Sequence, residues 1–271
     1  MTGILAQIIS LTTFGNDFLN GGNASGNYYP ENSTFKFCNK VGFEEFEKSF
    51  FSSKMKEKVI AENPLEWFAY LKKKGCKKLR LFFEHTKDKK YEDHKMAAFV
   101  GGGGTWMIEA VYNDHSNYWA SKWQVTKKDD PEKKIWTVSY ATFSEHQKIT
   151  NMQLDIDKMR STLFNTLSEI QSFAAVNGQI EWSVEFQNAK EILSSDNPVA
   201  NYYHKDLIPL ENFTKEKRQL IFAAASAWVF GGMGSWNDIG FDTQEENEQY
   251  EKLSALLYSC IIDSVIGVVN D

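Results

Sequence analysis

The stretch Thr105–Phe143, TWMIEAVYNDHSNYWASKWQVTKKDDPEKKIWTVSYATF, decides the fold class of this chain. It contains runs rich in β-branched and aromatic residues, which are typical of strands and lie at Thr105–Asn113, Asn117–Lys127 and Lys134–Phe143. Short polar connections separate these runs, and a further run, Lys78–His85, precedes them. Because strands joined by short connections pair antiparallel, the pattern predicts an antiparallel meander of four strands. Met96–Val100 fits either a fifth strand or the first half of a strand that Gly101–Gly104 bends.

Hydrophobic residues recur at helical spacing in the second half of the chain, from about Thr150 onward. One predicted helix ends at Asn177-Gly178, a second covers Ile180–Leu193, a third runs from Thr214 to Phe230, and a fourth begins at Thr243. Glu246 completes a capping box at the start of the fourth helix. Strands followed by helices predict an α+β fold in which amphipathic helices from the second half pack against the meander.

Three segments of the first half complete the assignment. Asn63 as N-cap and Pro64 as the first helical residue predict a helix over Pro64–Lys74. Phe43–Ala61 has large apolar residues at approximately helical spacing, and Ile4–Leu11 fits either a strand or a helix. We expect one integrated domain over residues 1–271. A sheet-rich part at 1–148 beside a helical part at 149–271 is the alternative.

The composition excludes several classes of protein. The net charge of −6 disfavours general binding to nucleic acid, and the basic run Lys72–Arg80 fits the charged end of a helix better than a phosphate-binding surface. No apolar segment reaches the length of a membrane span, and Ile4–Leu11 lacks the flanking features of a signal peptide. The three cysteines are too widely spaced for a metal motif or a disulfide framework. We therefore expect a cytoplasmic protein.

The first of two glycine clusters, Gly101–Gly104, immediately precedes Trp106. The cluster lacks the GK[ST] ending of a phosphate-binding loop, and a strand rather than a helix follows it. One interpretation is a bend at which another element packs closely against the backbone. The other is a ligand site in which Trp106 takes part. Aromatic residues amount to 14% of the chain, so Trp119, Trp123, Trp136 and Tyr140 could form either core packing or a stacking surface for a sugar or a base.

The second glycine cluster lies in Trp228–Gly240 and has the sequence WVFGGMGSWNDIG. A helix end needs one glycine, so a Gly-Gly-x-Gly turn flanked by aromatic residues exceeds that requirement. The two interpretations are an ordered structural turn and a ligand-facing loop. For the second, we predict ligand contacts from Gly232, Gly234, Trp236, Asn237 and Asp238.

Candidates for catalysis are few. Glu109 lies between apolar neighbours on a strand, where burial would raise the pKa of its carboxyl group, although an Arg or Lys partner explains the same pattern. His94 and His115 are the histidines best placed for acid–base chemistry with Glu109 or Asp238. No HxH, HxxxH or HExxH spacing is present, so we predict no metal site and no cofactor.

These observations leave three hypotheses about function. The first is binding of a small molecule or a partner protein in an aromatic, glycine-lined cleft between the sheet and the Gly231–Asp238 loop. The second is a metal-independent hydrolase or transferase with a Glu/Asp–His pair, which requires a histidine within hydrogen-bond reach of Glu109 or Asp238. The third is a structural protein that forms a homodimer through an exposed apolar stripe on its C-terminal helix.

Overall fold

The computed structural model describes residues 1–48, 55–87, 92–97, 99, 102–143 and 155–271. The strands are β1 (Cys38–Lys48), β2 (Met55–Ala61), β3 (Lys78–Glu84), β4 (Thr105–Val111), β5 (Ser116–Val125) and β6 (Trp136–Phe143). The helices are α1 (Gly3–Leu19), α2 (Pro64–Lys73), α3 (Asp93–Met96), α4 (Ile156–Val176), α5 (Ile180–Ile192), α6 (Lys215–Ser226) and α7 (Gln244–Asn270). The fold is α+β, as the sequence predicts.

All six strands form one sheet in the order β2-β1-β6-β5-β4-β3. The pairs β3–β4, β4–β5 and β5–β6 are antiparallel, which confirms the predicted meander. The sheet is larger than the four to five strands expected, because β1 and β2 extend it. β1 pairs with β6 in parallel and with β2 antiparallel, so the sheet is mixed.

Two predictions of local structure are wrong. Phe43–Ala61 forms the strands β1 and β2, although residues 49–54, which include Phe50, lie outside the described residues. The decisive contact is tertiary, because the Phe43 ring stacks on Trp67 at 4.3 Å and on Tyr140 at 5.3 Å and so holds β1 in the sheet. Met96–Val100 is not a strand in its described part, because Met96 ends α3. Residues 98 and 100 lie outside the described residues.

The helical predictions are otherwise close to the structure. Ile4–Leu11 belongs to the helix α1, and α6 ends at Ser226 rather than at Phe230. The caps form as predicted: the Asn63 side chain accepts from the Glu66 amide at 3.0 Å, and Thr243 and Glu246 make the capping box. The main contacts of helices with the sheet come from α1, α2 and α7, so first-half helices cover much of it. Helix α7 makes the contact predicted for the second half of the chain, and α1 and α2 add contacts from the first half.

One face of the sheet carries the core. Cross-strand register aligns Leu81, Ile108 and Trp119, all of which are buried. Buried residues of α1, α2 and α7 continue the same hydrophobic cluster, which includes residues from both the sheet-rich and the helical part. The three cysteines are buried and free. A single domain over residues 1–271 stays a proposal, and this continuous core supports it.

Helix α7 has the length and hydropathy that raise the question of a membrane span. Within the described residues it is the one helix long and apolar enough to cross a bilayer by length and composition, and its most apolar window has a mean hydropathy of 1.7. The protein itself buries 72% of that window. Such burial is what the central helix of a globular core shows, because the apolar side chains already have protein neighbours.

The glycines of the first cluster are required by close backbone packing. Gly103 and Gly104 have positive φ values of 73° and 82°. A Cβ on Gly103 would lie 2.8 Å from the Ala97 amide nitrogen and 2.9 Å from the Asp93 carbonyl oxygen. A Cβ on Gly104 would overlap the Phe83 ring. The predicted close approach of another element is therefore confirmed for Gly102–Gly104, whereas Gly101 lies outside the described residues.

We expect Gly104→Ala to lower the free energy of unfolding by about 2 kcal/mol or more, because it adds a positive-φ penalty to a steric clash. Gly240→Ala is the matched control, since no atom lies within 4 Å of the added methyl group. The control change should stay within about 0.5 kcal/mol. Urea unfolding of both variants measures the difference, and equal stabilities would contradict the packing described for Gly104.

Candidate functional site

An aromatic groove lies where the first glycine cluster meets one end of the sheet. We define it by the residues that line it, which are Thr2, Gly3, Ile4, Ala97, Phe99, Gly102, Gly103, Gly104, Thr105, Trp106, Ser121, Lys122, Trp123, Trp136, Trp228 and Tyr258. Its volume is about 600 Å³, and apolar surface dominates the lining. Sites for small molecules typically have volumes of about 300–1,000 Å³ and apolar walls, so the groove has a suitable size and character.

The sheet supplies three of the four tryptophans. Trp106 is at the start of β4, Trp123 is near the end of β5 and Trp136 is at the start of β6, and these positions share one end of the sheet because β5 is antiparallel to its neighbours. The Trp123 and Trp136 rings lie 5.9 Å apart at 71°. Two indole planes at a steep angle form a corner in which one can stack on a ring while the other meets its edge.

The predicted row of aromatic residues along β5 and β6 therefore divides into two parts. Trp119 and Tyr140 are buried in the core, where both rings pack near Phe43. Trp123 and Trp136 are only partly buried and line the groove. Both interpretations of the row, core packing and an accessible aromatic surface, apply to different members of it.

The opposite wall of the groove is fixed by Tyr258 of α7. Its hydroxyl donates to the Gly103 carbonyl oxygen at 2.7 Å, and its ring packs at 5.6 Å from Trp228 and 5.1 Å from Phe230. Burial raises the pKa of Tyr258 well above its ordinary value, so the phenol stays protonated and keeps donating at physiological pH. The glycine backbone and two aromatic rings thus form one rigid wall.

The polar side-chain groups of the groove are hydroxyls, indole N–H groups and one ammonium group. The Thr2 hydroxyl accepts from the Leu5 amide, and the Thr2 carbonyl oxygen accepts from the Ala6 amide. The amides of Gly3 and Ile4 in the first turn of α1 have no such acceptor among the described residues. The Trp123 indole N–H is also without an acceptor in the described part of the chain. Lys122 is exposed and is the one charged residue of the described lining, and its side chain projects from the sheet face opposite Trp123, because neighbouring residues of a strand alternate.

Of the predicted ligand-binding residues, the groove includes Trp106. Gly232, Gly234, Trp236, Asn237 and Asp238 lie in the second glycine turn and are not among the lining residues. That turn is close to the groove in the fold, because the Asn237 side-chain amide donates to the His94 carbonyl oxygen at 2.9 Å, just before the first glycine cluster. The two glycine clusters are therefore neighbours, joined through α3.

Hydrogen bonds within the protein occupy the polar groups of the second turn. The Trp236 indole, which is fully buried, donates to the Ser254 hydroxyl at 2.7 Å, and the Trp236 carbonyl oxygen accepts from Tyr250 at 2.6 Å. Asp238 accepts a hydrogen bond from the Gly234 amide. These contacts fit the interpretation of an ordered structural turn. Ligand binding by Gly232, Gly234, Trp236, Asn237 and Asp238 remains a prediction.

Glu109 has the basic partner that the sequence analysis weighed. The carboxylate is buried on the side of the sheet opposite Ile108, and it accepts from the Arg80 guanidinium at 2.8 Å and from the Tyr118 hydroxyl at 3.2 Å. The arginine and the tyrosine hydroxyl give this carboxylate two hydrogen-bond partners within the fold. This environment fits a buried ion pair better than a general acid.

His94 is buried and belongs to a charged cluster that joins α3 to α7. Its Nε2 lies 3.3 Å from a Glu251 carboxylate oxygen and 3.8 Å from a Glu92 carboxylate oxygen. These three residues could hold a metal ion by their spacing. The Lys95 ammonium already lies 2.8 Å from Glu251 and 3.2 Å from Glu92. The lysine thus supplies the positive charge that the two carboxylates require.

His115 lies in the β4–β5 turn, where it contacts the Asp114 carboxylate at 2.7 Å and stacks on Tyr112. His94 Nε2 contacts the Glu251 carboxylate, and His115 Nδ1 contacts the Asp114 carboxylate. The histidine–carboxylate pair required by the enzyme hypothesis therefore has no support from these contacts.

Sequence reasoning missed a serine–histidine–aspartate cluster formed by Ser33, His204 and Asp206. The Ser33 hydroxyl lies 2.8 Å from His204 Nδ1 and also donates to the Asp206 carboxylate. An ionised carboxylate can only accept, so we assign the serine proton to Asp206 and a proton to His204 Nδ1, which donates to Ser33. Ser33 lies 171 positions from His204 along the chain, whereas His204 and Asp206 are close neighbours in sequence, and no local pattern connects the serine to them.

The serine cluster lacks the parts needed for nucleophilic catalysis. In this assignment His204 donates to the serine and cannot act as its base. The neighbouring amides are occupied as well, since the Ser33 amide donates to Asp206 at 2.7 Å and the Thr34 amide donates to Asn32 at 3.0 Å. No spare donor pair is therefore left there for an oxyanion. The cluster connects the Asn32–Phe35 turn to the loop before α6.

No protein-family model, curated protein or solved structure matches this chain. The function must therefore be inferred from the groove and the clusters described above.

We expect His204 to make stability depend on pH. Burial lowers the pKa of His204 below its ordinary value of 6.5, and the nearby Asp206 charge opposes that shift only in part. The unfolded chain then binds a proton at higher pH than the folded chain, so stability falls as the pH drops below 6.5. Urea unfolding between pH 7.5 and pH 5 should show a smaller loss for His204→Gln than for the natural chain. Identical losses would contradict this assignment.

Proposed function

We propose that this protein binds a ring-bearing small molecule in the aromatic groove. The observation that carries the proposal is the set of four partly buried tryptophans, Trp106, Trp123, Trp136 and Trp228, around one cavity of about 600 Å³. Large aromatic side chains are normally buried in a core, because each removes a large apolar area from water. Four tryptophan side chains around one accessible groove instead leave apolar surface that a ligand can cover.

The rigidity of the groove supports the same proposal. Gly102–Gly104 packs against α3 and Phe83 with no room for side chains, and Tyr258 holds the Gly103 carbonyl oxygen from the other side. A preformed wall lowers the free-energy cost of ordering a site on binding. The groove can therefore bind a flat ring without rearrangement of the sheet.

Catalysis by a Glu/Asp–His pair is the alternative with less support. Glu109 is paired with Arg80, Asp238 accepts from the Gly234 amide, and His94 contacts Glu251. Each candidate group thus has a partner within the fold that explains its position. The groove, in contrast, has apolar walls that the fold leaves accessible.

The homodimer hypothesis also lacks the feature that it requires. The apolar residues of α7, such as Leu257, Ile261 and Val265, are buried within the chain, and Leu256 is its one large hydrophobic residue classed as exposed, at 39%. An exposed apolar stripe on this helix is therefore absent from the described structure. Dimerisation would need another surface and stays a separate proposal.

Titration with 2-naphthol, a neutral planar compound, tests the proposal through quenching of tryptophan fluorescence and through calorimetry. We expect saturable binding to the natural chain. Trp136→Ala should weaken binding about fivefold to a hundredfold, because stacking on an aromatic side chain contributes about 1–3 kcal/mol. Methyl β-glucoside in a parallel titration distinguishes a flat ring from a sugar.

Trp182→Ala is the matched control. It removes an indole of the same size that is also partly buried but packs against Trp236, away from the groove lining. We expect the affinity of this variant for 2-naphthol to equal that of the natural chain. No binding by any ring compound, or an equal loss in both variants, would refute the aromatic groove as the binding site.

A further inference from the structure

The cluster of Glu92, His94 and Glu251 brings three potential metal ligands together where α3 meets α7. One oxygen of each carboxylate and one ring nitrogen of the histidine all lie within 4.8 Å of one another. His94 and Glu251 are 157 positions apart along the chain, so tertiary folding assembles the cluster. A search of the sequence for closely spaced histidines cannot reveal a site of this kind.

The side chains of Glu92 and His94 are directed at the cluster. Glu92 is the N-cap residue of α3, where a carboxylate normally accepts from a first-turn amide, but its side chain makes no such bond in the described structure. His94 is 4% exposed, and its ring lies beside those of Phe230 and Tyr258. Its Nε2 atom faces both carboxylates. The imidazole is therefore held in a fixed position from which one nitrogen can coordinate an ion.

The distances in the cluster fit a metal coordination shell better than a set of hydrogen bonds. Nε2 of His94 lies 3.3 Å from a Glu251 oxygen and 3.8 Å from a Glu92 oxygen. A hydrogen bond from a charged ring nitrogen to a carboxylate is typically about 2.7–2.9 Å long. Two ligand atoms at about 2.0–2.2 Å from a tetrahedral ion lie about 3.3–3.6 Å apart. The first distance is in this range, and a small rotation of the exposed Glu92 side chain brings the second into it.

Lys95 shows that a cation is stable between the two carboxylates. Its ammonium nitrogen lies 2.8 Å from Glu251 and 3.2 Å from Glu92. The Lys95 side chain is 47% exposed, and ion pairs of exposed side chains contribute little to stability. An ion coordinated by both carboxylates and the imidazole therefore displaces the ammonium group at a small cost, because the lysine can turn into solvent.

We propose that Glu92, His94 and Glu251 bind a divalent transition-metal ion, for which Zn²⁺ is the best fit. Zn²⁺ accepts nitrogen and oxygen ligands in a tetrahedral arrangement, whereas Mg²⁺ and Ca²⁺ prefer oxygen ligands alone. Two carboxylates balance the charge of the ion, and three protein ligands leave one position for water. The ion would link α3 to α7. This inference does not depend on ligand binding in the aromatic groove.

Titration calorimetry of the untagged, chelator-treated protein with Zn²⁺ tests the proposal. We expect saturable binding of one ion per chain. Glu92→Gln and Glu251→Gln should each weaken binding at least about tenfold, since even the hydrogen-bond partners of metal ligands contribute about 10–100-fold to affinity. Both carboxylates are at the surface, so the variants should fold. Glu132→Gln is the matched control, because Glu132 is an exposed carboxylate that is also paired with a lysine.

Lys95→Met gives a prediction of opposite sign. It should tighten Zn²⁺ binding about twofold to fivefold, because the ammonium group that competes for the carboxylates is removed. Lys134→Met is the matched control, since Lys134 is 48% exposed and lies 2.8 Å from Glu132. The control variant should bind Zn²⁺ with the affinity of the natural chain. Co²⁺ in place of Zn²⁺ should give a spectrum without thiolate charge-transfer bands, because the three cysteines are buried and are not ligands.

Several results would overturn the metal site. They are the absence of saturable Zn²⁺ binding, an affinity that Glu92→Gln and Glu251→Gln leave unchanged, and an affinity that Lys95→Met lowers or leaves unchanged. Thiolate bands in the Co²⁺ spectrum, or tighter binding of Mg²⁺ than of Zn²⁺, would also overturn it. Each of these results leaves the proposal of ring binding in the aromatic groove as it stands.

Discussion

The backbone of Gly102–Gly104 packs directly against Phe83, Met96 and Ala97, at separations that leave no room for a Cβ atom. This contact places the start of β4, and with it Trp106, beside the wall formed by Tyr258 and Trp228. A side chain at any of these glycines would push the Gly102–Gly104 segment away from α3. The shape of the groove therefore depends on three residues that have no side chains.

Charged and polar clusters elsewhere in the molecule have their partners within the fold. Arg80 holds Glu109, Lys95 lies between Glu92 and Glu251, and Asp206 accepts from Ser33. Such networks stabilise one arrangement of the chain when every member has a partner. The aromatic groove differs because the fold leaves its apolar surface accessible. This contrast is the reason for preferring binding over catalysis.

The sequence predicts those parts of the structure that depend on local interactions. The meander from β3 to β6 follows from short polar connections, and the helix caps at Asn63 and Thr243 form as their residue types indicate. The parallel pairing of β1 with β6 could not be predicted, because it joins segments that lie far apart in the chain. Phe43 shows most clearly where prediction from sequence fails. The apolar residues that begin at Phe43 have helical spacing, but stacking of Phe43 on Trp67 and Tyr140 holds this segment in the sheet.

The aromatic groove was likewise predictable only where its residues are adjacent in sequence. The glycine run and Trp106 are adjacent in sequence and point to the groove, whereas Tyr258, Trp228 and the start of α1 join it only through tertiary folding. From its sequence, the second glycine turn was the stronger candidate of the two. Phe230 and Trp236 are buried instead, with Trp236 against Phe186 and Tyr250, whereas Trp228 lines the groove.

The most direct measurement is a titration of the protein with 2-naphthol, followed through the indole N–H signals of its eight tryptophans by ¹H–¹⁵N NMR. If the aromatic groove is the binding site, the signals of Trp106, Trp123, Trp136 and Trp228 shift together with one dissociation constant. The signals of the buried Trp67, Trp119 and Trp236 stay in place. Shifts confined to Trp182 and Trp236, or no saturable shift in the four groove signals, would contradict the assignment of function to this groove.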